Sequence, residues 1–585
     1  MIKISMIIPC YNEEKRLPET LKKIESWLNC QTTLDIELIL SNDGSEDKTL
    51  EIMKDVKEIF ENKNLCEVKV FNFAHRGYIE TLFDSYNYNL LGFALSGPIL
   101  KKRNTDGSKG SSLIGYFLAG EFRSVDDTDP SAIGMWKVKD DVLADLQANP
   151  FQIAPNASAG FLSRSEFLNE DDFENVQAKI NVNEKRFNLS GKLDIKPSKN
   201  TFLSLGGSYY ARESRDFSSW RSMFSWDNNR QSTQHTYRVF GKLVQKFGSA
   251  EDNEDESSAN IKNAFFTIQG DYTNNKYTYV DAVHQNDLFN YGYVGQFVTS
   301  KAPVYDFGSV IDSSNGRIYS GRVLNGWTDT LFEYTPGGVN TSLENYTNAY
   351  IDLFSEYSMS SNYVSGYGAD GQLRTAADLQ GQGLLNGQLP SNVYSLFGNH
   401  GSMYNGSAKQ ENTQTTFKAS GSADIKSHEF SFGFEFEQRK DYYWGSSPMN
   451  LWSIMRQQAN KHILERDLSN PYPVFDANGI YQDTINYDRL FIASEQSTFD
   501  ANFRADHNIG QLEFIDIDSY TPDAFSLDMF SQDELLNSGS SLVYYYGYDI
   551  YGNKNEANNT LKDFFTHKDD NGQYTRNIAA YDPIY

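Results

Sequence analysis

The amino-terminal 76 residues alternate between short apolar runs and segments with an apolar residue every three or four positions. The apolar runs predict buried strands at Ile2–Ile8, Leu34–Leu40 and Glu67–Phe73. The intervening segments predict two helices, with inner faces formed by Leu17, Leu21, Ile24, Trp27 and Leu28 in the first and by Ile52, Val56 and Ile59 in the second. Ser45 is predicted to cap the second helix. The order β-α-β-α-β predicts the start of a doubly wound sheet, which binds ligands beyond the carboxyl ends of its strands.

After Tyr78 the period changes from 3.6 to two. Apolar and polar residues alternate along Phe187–Ile195 and again along Leu203–Tyr209, and the sequence KPSKN between them predicts the turn of a hairpin. Further alternating strands are predicted at Ala264–Tyr272, Phe417–Ile425, Phe430–Phe436 and Phe499–Ala505.

Alternation alone fits a membrane β-barrel, a soluble β-sandwich or a propeller. Strands of about ten residues, a charged polar face, and long loops alternating with tight turns favour the barrel. The interval from about Asp281 to Gln414 has little strand pattern, which suits extracellular loops. Tyr442, Tyr443 and Trp444 end a strand where an interfacial aromatic girdle would lie. The predicted fold class is therefore mixed: a short α/β segment followed by a large antiparallel all-β partial transmembrane barrel.

Composition divides the chain at the same place. The three cysteines, Cys10, Cys30 and Cys66, all precede residue 75, whereas 41 of 42 glycines and 36 of 37 tyrosines lie from Gly77 onward. One evenly mixed fold would not separate them so sharply. We therefore predict two parts, residues 1–76 and residues 77–585.

Charge excludes one class of partner. The first 76 residues carry 11 basic and 14 acidic side chains, a net charge of −3, which leaves −23 of the total −26 for the remainder. A surface this acidic disfavours nucleic acid, whose phosphates need cationic partners. Solvated acidic loops account for the excess.

No targeting or membrane helix is expected. The opening MIKISMIIPC is too short for a signal peptide, and no run approaches 18 apolar residues. The few cysteines do not suggest a disulfide framework. We expect the first part to be cytoplasmic.

The motifs IIPCYNEEKRLPETL and SNDGSEDKTLEIM resemble the opening of family 2 glycosyltransferases, particularly those that use dolichyl- or polyprenyl-phosphate acceptors. The resemblance implies a GT-A fold, Rossmann-like in its first strands, that binds a nucleotide-sugar. The residues that it places in the nucleotide pocket are Pro9, Tyr11, Asn12, Glu13 and Asp43. Asp43 would accept hydrogen bonds from the base, because a carboxylate beside a glycine turn can take N–H donors.

This resemblance is incomplete in two respects. Asn42 stands where the family usually has the first of two aspartates. The family's Asp-x-Asp metal motif, catalytic base and acceptor site have no counterpart, so no catalytic residue or metal ligand is predicted. A divalent metal, Mg or Mn, is expected only for a complete glycosyltransferase. The aspartate pair at Asp140 in DDVLADL is predicted to be a surface turn.

The later segments Ser85–Arg103, Ser112–Val138 and Leu193–Tyr209 resemble early barrel strands of large TonB-dependent outer-membrane receptors. Gln511–Asn553 resembles one of their long external segments. The resemblance implies an outer-membrane location, contact with lipid and the TonB complex, and import of a siderophore, glycan or peptide. The family's signal peptide, TonB-contacting box and plug are not found before Tyr78, and about half of its roughly 22 strands are missing.

These observations predict a receptor fragment for nutrient import that carries a glycosyltransferase fragment, joined through a fused or misassembled reading frame. The alternative is a glycosyltransferase that transfers a sugar from a nucleotide-sugar to a lipid-phosphate or glycan acceptor. Three Asp/Asn-Gly motifs, Asp312–Gly316, Asp476–Gly479 and Lys568–Tyr574, lack full calcium-ligand spacing and are predicted to be turns.

Overall fold

The amino-terminal part is a small parallel sheet with two helices. The structure is a computed structural model that describes residues 2–554 except 11–12, 30–33, 43–44, 46, 64, 73–75, 86, 104–108, 155–160, 248–260, 313–314, 330–332, 361–378, 426 and 537–541. The first elements are β1 (Ile2–Cys10), α1 (Leu17–Leu28), β2 (Leu34–Asn42), α2 (Thr49–Asn62) and β3 (Glu67–Asn72). The strands pair in the order β1–β2–β3, all parallel, which confirms the predicted β-α-β-α-β order.

Both helices pack on one core, but the predicted faces need two corrections. Trp27 is 41 % exposed and lies outside the buried stripe of α1. The inner face of α2 is shifted by one position, so that Met53 and Phe60 are buried while Ile59 is 44 % exposed. The larger Phe60 side chain removes more apolar area from water than Ile59 would, which accounts for the rotation of the helix.

The remaining strands are, in chain order, β4 (Arg76–Phe83), β5 (Asn89–Arg103), β6 (Lys109–Val125), β7 (Met135–Val138), β8 (Phe151–Ile153), β9 (Phe161–Ser163), β10 (Phe173–Val176), β11 (Glu184–Ile195), β12 (Thr201–Asp216), β13 (Arg230–Phe247), β14 (Ile261–Val280), β15 (Gly295–Val298), β16 (Lys301–Ile311), β17 (Ile318–Asp329), β18 (Glu333–Pro336), β19 (Ser407–Ile425), β20 (His428–Ser446), β21 (Tyr472–Phe475), β22 (Tyr481–Asn486) and β23 (Val543–Tyr546). The helices are α3 (Asp140–Ala148), α4 (Thr341–Ser360), α5 (Asn450–Gln458), α6 (Thr498–His507) and α7 (Gln532–Leu536). In the described part of the chain, no helix is long and apolar enough to cross a bilayer.

A large antiparallel sheet dominates this second part. Its described strands lie in the order β23–β20–β19–β14–β13–β12–β11–β6–β5–β4. The predicted hairpin is confirmed, since Ile195 pairs with Leu203 and Leu193 with Leu205. The strands predicted around Ala264, Phe417 and Phe430 are confirmed as well, as parts of β14, β19 and β20.

The two faces of this sheet differ in chemical character along one row of pairs, which crosses the seven neighbouring strands from β6 to β20 in sheet order. One row of paired residues, the apolar row, consists of Ile114, Ile195, Leu203, Leu243, Ile268, Ala419 and Phe434. Their sequence neighbours point to the other face and form the polar row, in which every residue but the first is polar or charged: Gly115, Asp194, Ser204, Lys242, Gln269, Lys418 and Glu435. None of the apolar row is buried, and Phe434 is 60 % exposed. The sheet therefore has an uncovered apolar face.

The sheet is open among the described residues. β4 and β23 are its outermost strands, and neither pairs with a second neighbour within the described ranges. Closure into a barrel, which the sequence pattern predicts, is therefore not part of the described structure. Such an edge presents a row of unpaired N–H and C=O groups.

Several segments beyond the sheet strands fold on their own cores. The interval from Asp281 to Gln414, predicted as loops, contains β15–β18 and α4, and it buries Tyr291, Phe297 and Tyr346. Trp444, predicted at a membrane interface, is buried, and its Nε1–H donates to the Ile550 carbonyl at 2.8 Å. That girdle prediction is therefore wrong for Trp444.

Two further predictions of local structure are wrong. Phe499–Ala505 forms helix α6 rather than a strand, because the Ser497 hydroxyl accepts from the Asp500 N–H and starts the helix. The aspartate pair at Asp140 begins helix α3 rather than a turn. Acidic residues in the first turn stabilise a helix through its dipole.

Two of the predicted turns can be placed. Asp312–Gly316 connects β16 to β17, and Asp476–Gly479 connects β21 to β22, where the Asp476 N–H donates to the Ile480 carbonyl at 2.9 Å. Gly479 has φ +78°, a conformation that glycine adopts without strain. The motif Lys568–Tyr574 lies outside the described residues.

One carboxyl in the helical region makes stability depend on pH. Burial, together with the nearby carboxylates of Asp518 and Asp329, raises the pKa of Asp516 to about 7. The folded chain then retains a proton that the unfolded chain releases, so stability falls as pH rises from about 4 to about 7. An asparagine at this position does not titrate, so the variant lacks this loss. We expect the free energy of unfolding of Asp516→Asn, relative to that of the wild type, to rise by about 2 kcal/mol between pH 5 and pH 8. Urea unfolding of both proteins at the two pH values measures it, and a pH-independent gain would contradict the assignment.

Candidate functional site

The carboxyl ends of β1 and β2 lie side by side. Cys10 pairs with Asn42, and Pro9 pairs with Ser41, so the loops after both strands leave the same edge of the sheet. These loops contain the residues assigned to the nucleotide pocket. A parallel sheet binds its ligands at this edge.

Two hydrogen bonds fasten the loops together. The Glu13 N–H donates to Thr49 Oγ1 at 2.8 Å, and the Glu14 N–H donates to Asp47 Oδ2 at 3.1 Å. Thr49 is fully buried at the start of α2. The approach to α1 and the start of α2 are thus one connected unit.

Glu13 is at the centre of this unit. Its carbonyl accepts from the Leu17 N–H at 2.8 Å, which starts α1. Its half-buried carboxylate accepts from Arg16 Nε at 2.7 Å. The Glu13 side chain is therefore already held in place, and its charge is partly balanced by Arg16.

Of the five residues assigned to the pocket, the structure places two at this edge. Glu13 lies in the loop, and the backbone of Pro9 lies in β1, while its side chain lies outside the described part. Tyr11, Asn12 and Asp43 lie outside the described residues. The five assignments therefore stay predictions.

Asn42, the last residue of β2, is held at this edge through its amide oxygen. The side chain is buried, and its Oδ1 accepts from the Ser45 N–H at 3.2 Å. An amide oxygen serves as acceptor here as a carboxylate would, without a buried charge.

Asp47 and Thr49 are site residues that the sequence prediction missed. Ser45 was predicted to cap α2, but Asp47 Oδ1 accepts from the Thr49 N–H at 3.0 Å. Despite the raising effect of partial burial, hydrogen bonds from Thr49 hold the pKa of Asp47 below its ordinary value. The stretch SEDKT contains three residues that can cap a helix, Ser45, Asp47 and Thr49. The sequence alone does not show which of them does so.

Cys10 is not a nucleophile in this environment. The side chain is fully buried, and burial, with a smaller effect of the Glu13 carboxylate, raises the pKa of its thiol to about 11. A thiol with this pKa holds its proton at neutral pH. Its side chain packs in the core between the small sheet and its two helices.

The Thr49 hydroxyl can be tested by amide exchange. We expect Thr49→Val to speed hydrogen exchange of the Glu13 amide by about tenfold, because the lost bond is worth about 1 kcal/mol or more. Thr20→Val is the matched control, since the Thr20 hydroxyl is exposed and bonds only its own helix, at the Arg16 carbonyl. Equal exchange in the wild type and Thr49→Val would show that this bond does not hold the loops.

No metal site is apparent among the residues that the structure describes, which contain no group of three His, Cys, Asp or Glu placed to hold an ion. The described residues of the edge therefore do not by themselves fit a divalent metal on a diphosphate. We derive no chemical step through one.

The first part of the chain matches a known family. Residues 5–81 match the model of glycosyl transferase family 2. An undecaprenyl-phosphate 4-deoxy-4-formamido-L-arabinose transferase of Photorhabdus laumondii is 36 % identical over 89 residues, which are 15 % of this chain and 27 % of that protein. A dolichyl-phosphate beta-glucosyltransferase of Trichomonas vaginalis is 36 % identical over 63 residues, which are 10 % of this chain and 20 % of that protein. The chain thus spans about a quarter of the length of these relatives.

Among solved structures, the chain aligns with the siderophore receptor PiuA from Acinetobacter baumannii. The alignment has a TM-score of 0.20 and 11 % identity, and it covers 64 % of this chain and 41 % of the receptor. A TM-score this low carries no argument about fold or function.

Proposed function

We propose that residues 77–585 form part of the wall of a TonB-dependent outer-membrane receptor that imports a nutrient. One observation carries the proposal: the apolar row runs in register across seven strands, opposite a polar row that contains four charged residues. Strand interiors that face lipid on one side and water on the other have this pattern.

Exposure supports lipid as the neighbour of the apolar face. In β20, Phe430, Phe432, Phe434 and Phe436 are between 51 % and 71 % exposed. Monomeric soluble proteins rarely expose large contiguous apolar patches to water. Within the large sheet, the strands β11, β12, β13, β14, β19 and β20 are 12 to 20 residues long, which exceeds the roughly ten that a tilted strand needs to cross a bilayer.

The open edges limit what this part does alone. Unpaired backbone groups are costly in hydrocarbon, so the wall needs further strands to close. The outer-membrane location, the TonB complex as partner and a siderophore, glycan or peptide as cargo follow from the sequence resemblance.

Insertion into lipid tests the proposal. We expect the full chain, diluted from urea into vesicles of dilauroyl phosphatidylcholine, to float with the lipid after an alkaline wash and to show strand-rich circular dichroism. Dilution without vesicles is the control and should give aggregate. A folded, lipid-free chain in the aqueous fraction would contradict the proposal.

The second candidate function is glycosyl transfer, which the family match over residues 5–81 favours. In this account the edge formed by β1 and β2 binds the nucleotide-sugar, and Asp43 accepts hydrogen bonds from the nucleobase. We expect Asp43→Ala to abolish binding of UDP- or GDP-sugar, with the exposed Asp55→Ala as control. Unchanged binding in Asp43→Ala would remove the pocket assignment.

The two functions need different compartments, since nucleotide-sugars are cytosolic and an outer-membrane wall must be exported. A fused or misassembled reading frame accounts for their presence in one chain, with a boundary near residue 76. Uninterrupted DNA reads across codons 65–90 from independent source material would contradict misassembly, and their absence would support it.

A further inference from the structure

A groove lies where the four-stranded sheet β16–β17–β22–β21 meets the chain that follows it. It has a volume of about 370 Å³, and its lining includes Tyr305, Trp327, Tyr472, Tyr487 and Arg489. Binding sites for small molecules commonly combine aromatic walls with a few placed polar groups. The groove is independent of the lipid-facing sheet and of the nucleotide pocket.

Arg489 is the distinctive residue of this groove. Its guanidinium lies 4.1 Å from the centre of the Trp327 ring and 5.7 Å from that of Phe514. Nη1 donates to the Ile463 carbonyl at 3.1 Å. Within the described ranges, no carboxylate lies within ion-pair distance of Arg489. Both aromatic rings lie beside the guanidinium, while Nε and Nη2 have no protein acceptor among the described residues.

Arg456, in helix α5, is satisfied differently. It pairs with Asp518 at 2.9 Å and also donates to the Asn386 carbonyl. Burial lowers the pKa of Arg489, and no acidic group offsets that effect. A half-buried cation with no carboxylate in direct contact is costly, so an anionic partner from solution would stabilise it.

The rest of the lining limits the choice of anion. The Tyr305 hydroxyl donates to Asn486 Oδ1 at 2.8 Å, and the Tyr472 hydroxyl donates to Asp488 Oδ1 at 3.3 Å. Asp488 adds one negative charge to the lining, which disfavours a dianion such as phosphate. Pro303, Leu324 and Leu512 add apolar surface.

We propose that this groove binds a small ligand that carries one carboxylate beside a flat apolar body. Arg489 holds the carboxylate through its planar fork of N–H donors, a geometry that matches two carboxylate oxygens. The apolar body lies against Trp327 and Tyr487.

Benzoate and benzamide are the matched probes, because they have the same shape and differ in charge. In titrations of the full chain inserted into vesicles of dilauroyl phosphatidylcholine, followed by saturation-transfer NMR, we expect benzoate to bind with an affinity on the order of millimolar and about tenfold more tightly than benzamide. Equal binding of the two probes by the wild type would overturn the proposal before any variant is made.

Variants then locate the site. We expect Arg489→Gln to remove the preference for benzoate, and Trp327→Ala to weaken both probes about equally. Arg322→Gln is the matched control, because Arg322 is exposed on the same sheet and does not line the groove. A benzoate preference that survives in Arg489→Gln, or that is lost equally in Arg322→Gln, would overturn the proposal.

Discussion

Replacing Ile268 by arginine is expected to prevent insertion of the chain into lipid vesicles, whereas Gln269→Arg is expected to leave insertion intact. The two residues are neighbours in β14, but Ile268 belongs to the apolar row and Gln269 to the polar row. An arginine on the lipid face near the bilayer midplane costs about 2–4 kcal/mol, and one on the water-filled side costs far less. The measurement is the fraction of each protein that floats with lipid and resists trypsin.

This pair separates the lipid account from a water-soluble sheet. Ile268 is already 39 % exposed in the structure, so its replacement creates no large cavity. If both faces met water, the two arginine variants would behave alike. Equal insertion, or equal loss of insertion, would therefore contradict the lipid-facing role of the apolar row.

Asp500→Ala is expected to have the largest effect on stability, about 3–5 kcal/mol, because it leaves a buried arginine without its carboxylate. Asp500 and Arg504 are almost fully buried, and Arg504 Nε donates to Asp500 Oδ1 at 2.7 Å. Asp500 Oδ2 also accepts from the Asn460 N–H at 2.9 Å. Urea unfolding of the vesicle-inserted chain, followed by near-ultraviolet circular dichroism, measures the loss.

Two variants make this prediction specific. Asp506→Ala changes an exposed aspartate of the same helix and should cost less than about 0.5 kcal/mol. Asp500→Ala combined with Arg504→Met should recover part of the loss, because the unpaired cation is gone. A single-variant loss below about 1 kcal/mol would show that the pair does not hold this helix in place.

The alternating strands were predictable from the sequence because their signal is local. In β11 and β12 the apolar residues recur at every second position and the turn KPSKN fixes the register, so pairing follows from two adjacent segments. The pairing of strands that are separated by long insertions has no such local signal. For example, β14 pairs with β19 although 126 residues separate Val280 from Ser407, and only the structure reveals this pairing.

The failure at Phe499–Ala505 has a physical cause. Phe499, Ala501, Phe503 and Ala505 alternate, but Phe499 and Phe503 are also four apart, which suits a helix. Both phenylalanines are fully buried, and the Phe499 ring stacks on Phe530 with centroids 4.6 Å apart. Tertiary packing and the Ser497 cap stabilise the helix, and hydrophobic periodicity reveals neither of them.

The sequence predicts which two loops lie at the carboxyl edge of the small sheet, but not the hydrogen bonds between them. Apolar strands that end at Cys10 and Asn42 predict that both strands end at one edge, and the pairing of Cys10 with Asn42 confirms this. The bonds of Glu13 to Thr49 and of Glu14 to Asp47 were not predictable, because they join residues 36 and 33 positions apart across two loops.

Nitroxide labels at positions 268, 269, 434 and 435 test the central claim most directly. The labels are placed one at a time in a chain whose three cysteines are replaced by serine, and the protein is inserted into vesicles. The account predicts that lipid-soluble oxygen relaxes the labels at 268 and 434 most strongly, while a water-soluble nickel complex relaxes those at 269 and 435. Equal access of the nickel complex to all four positions would contradict a sheet with one face in lipid.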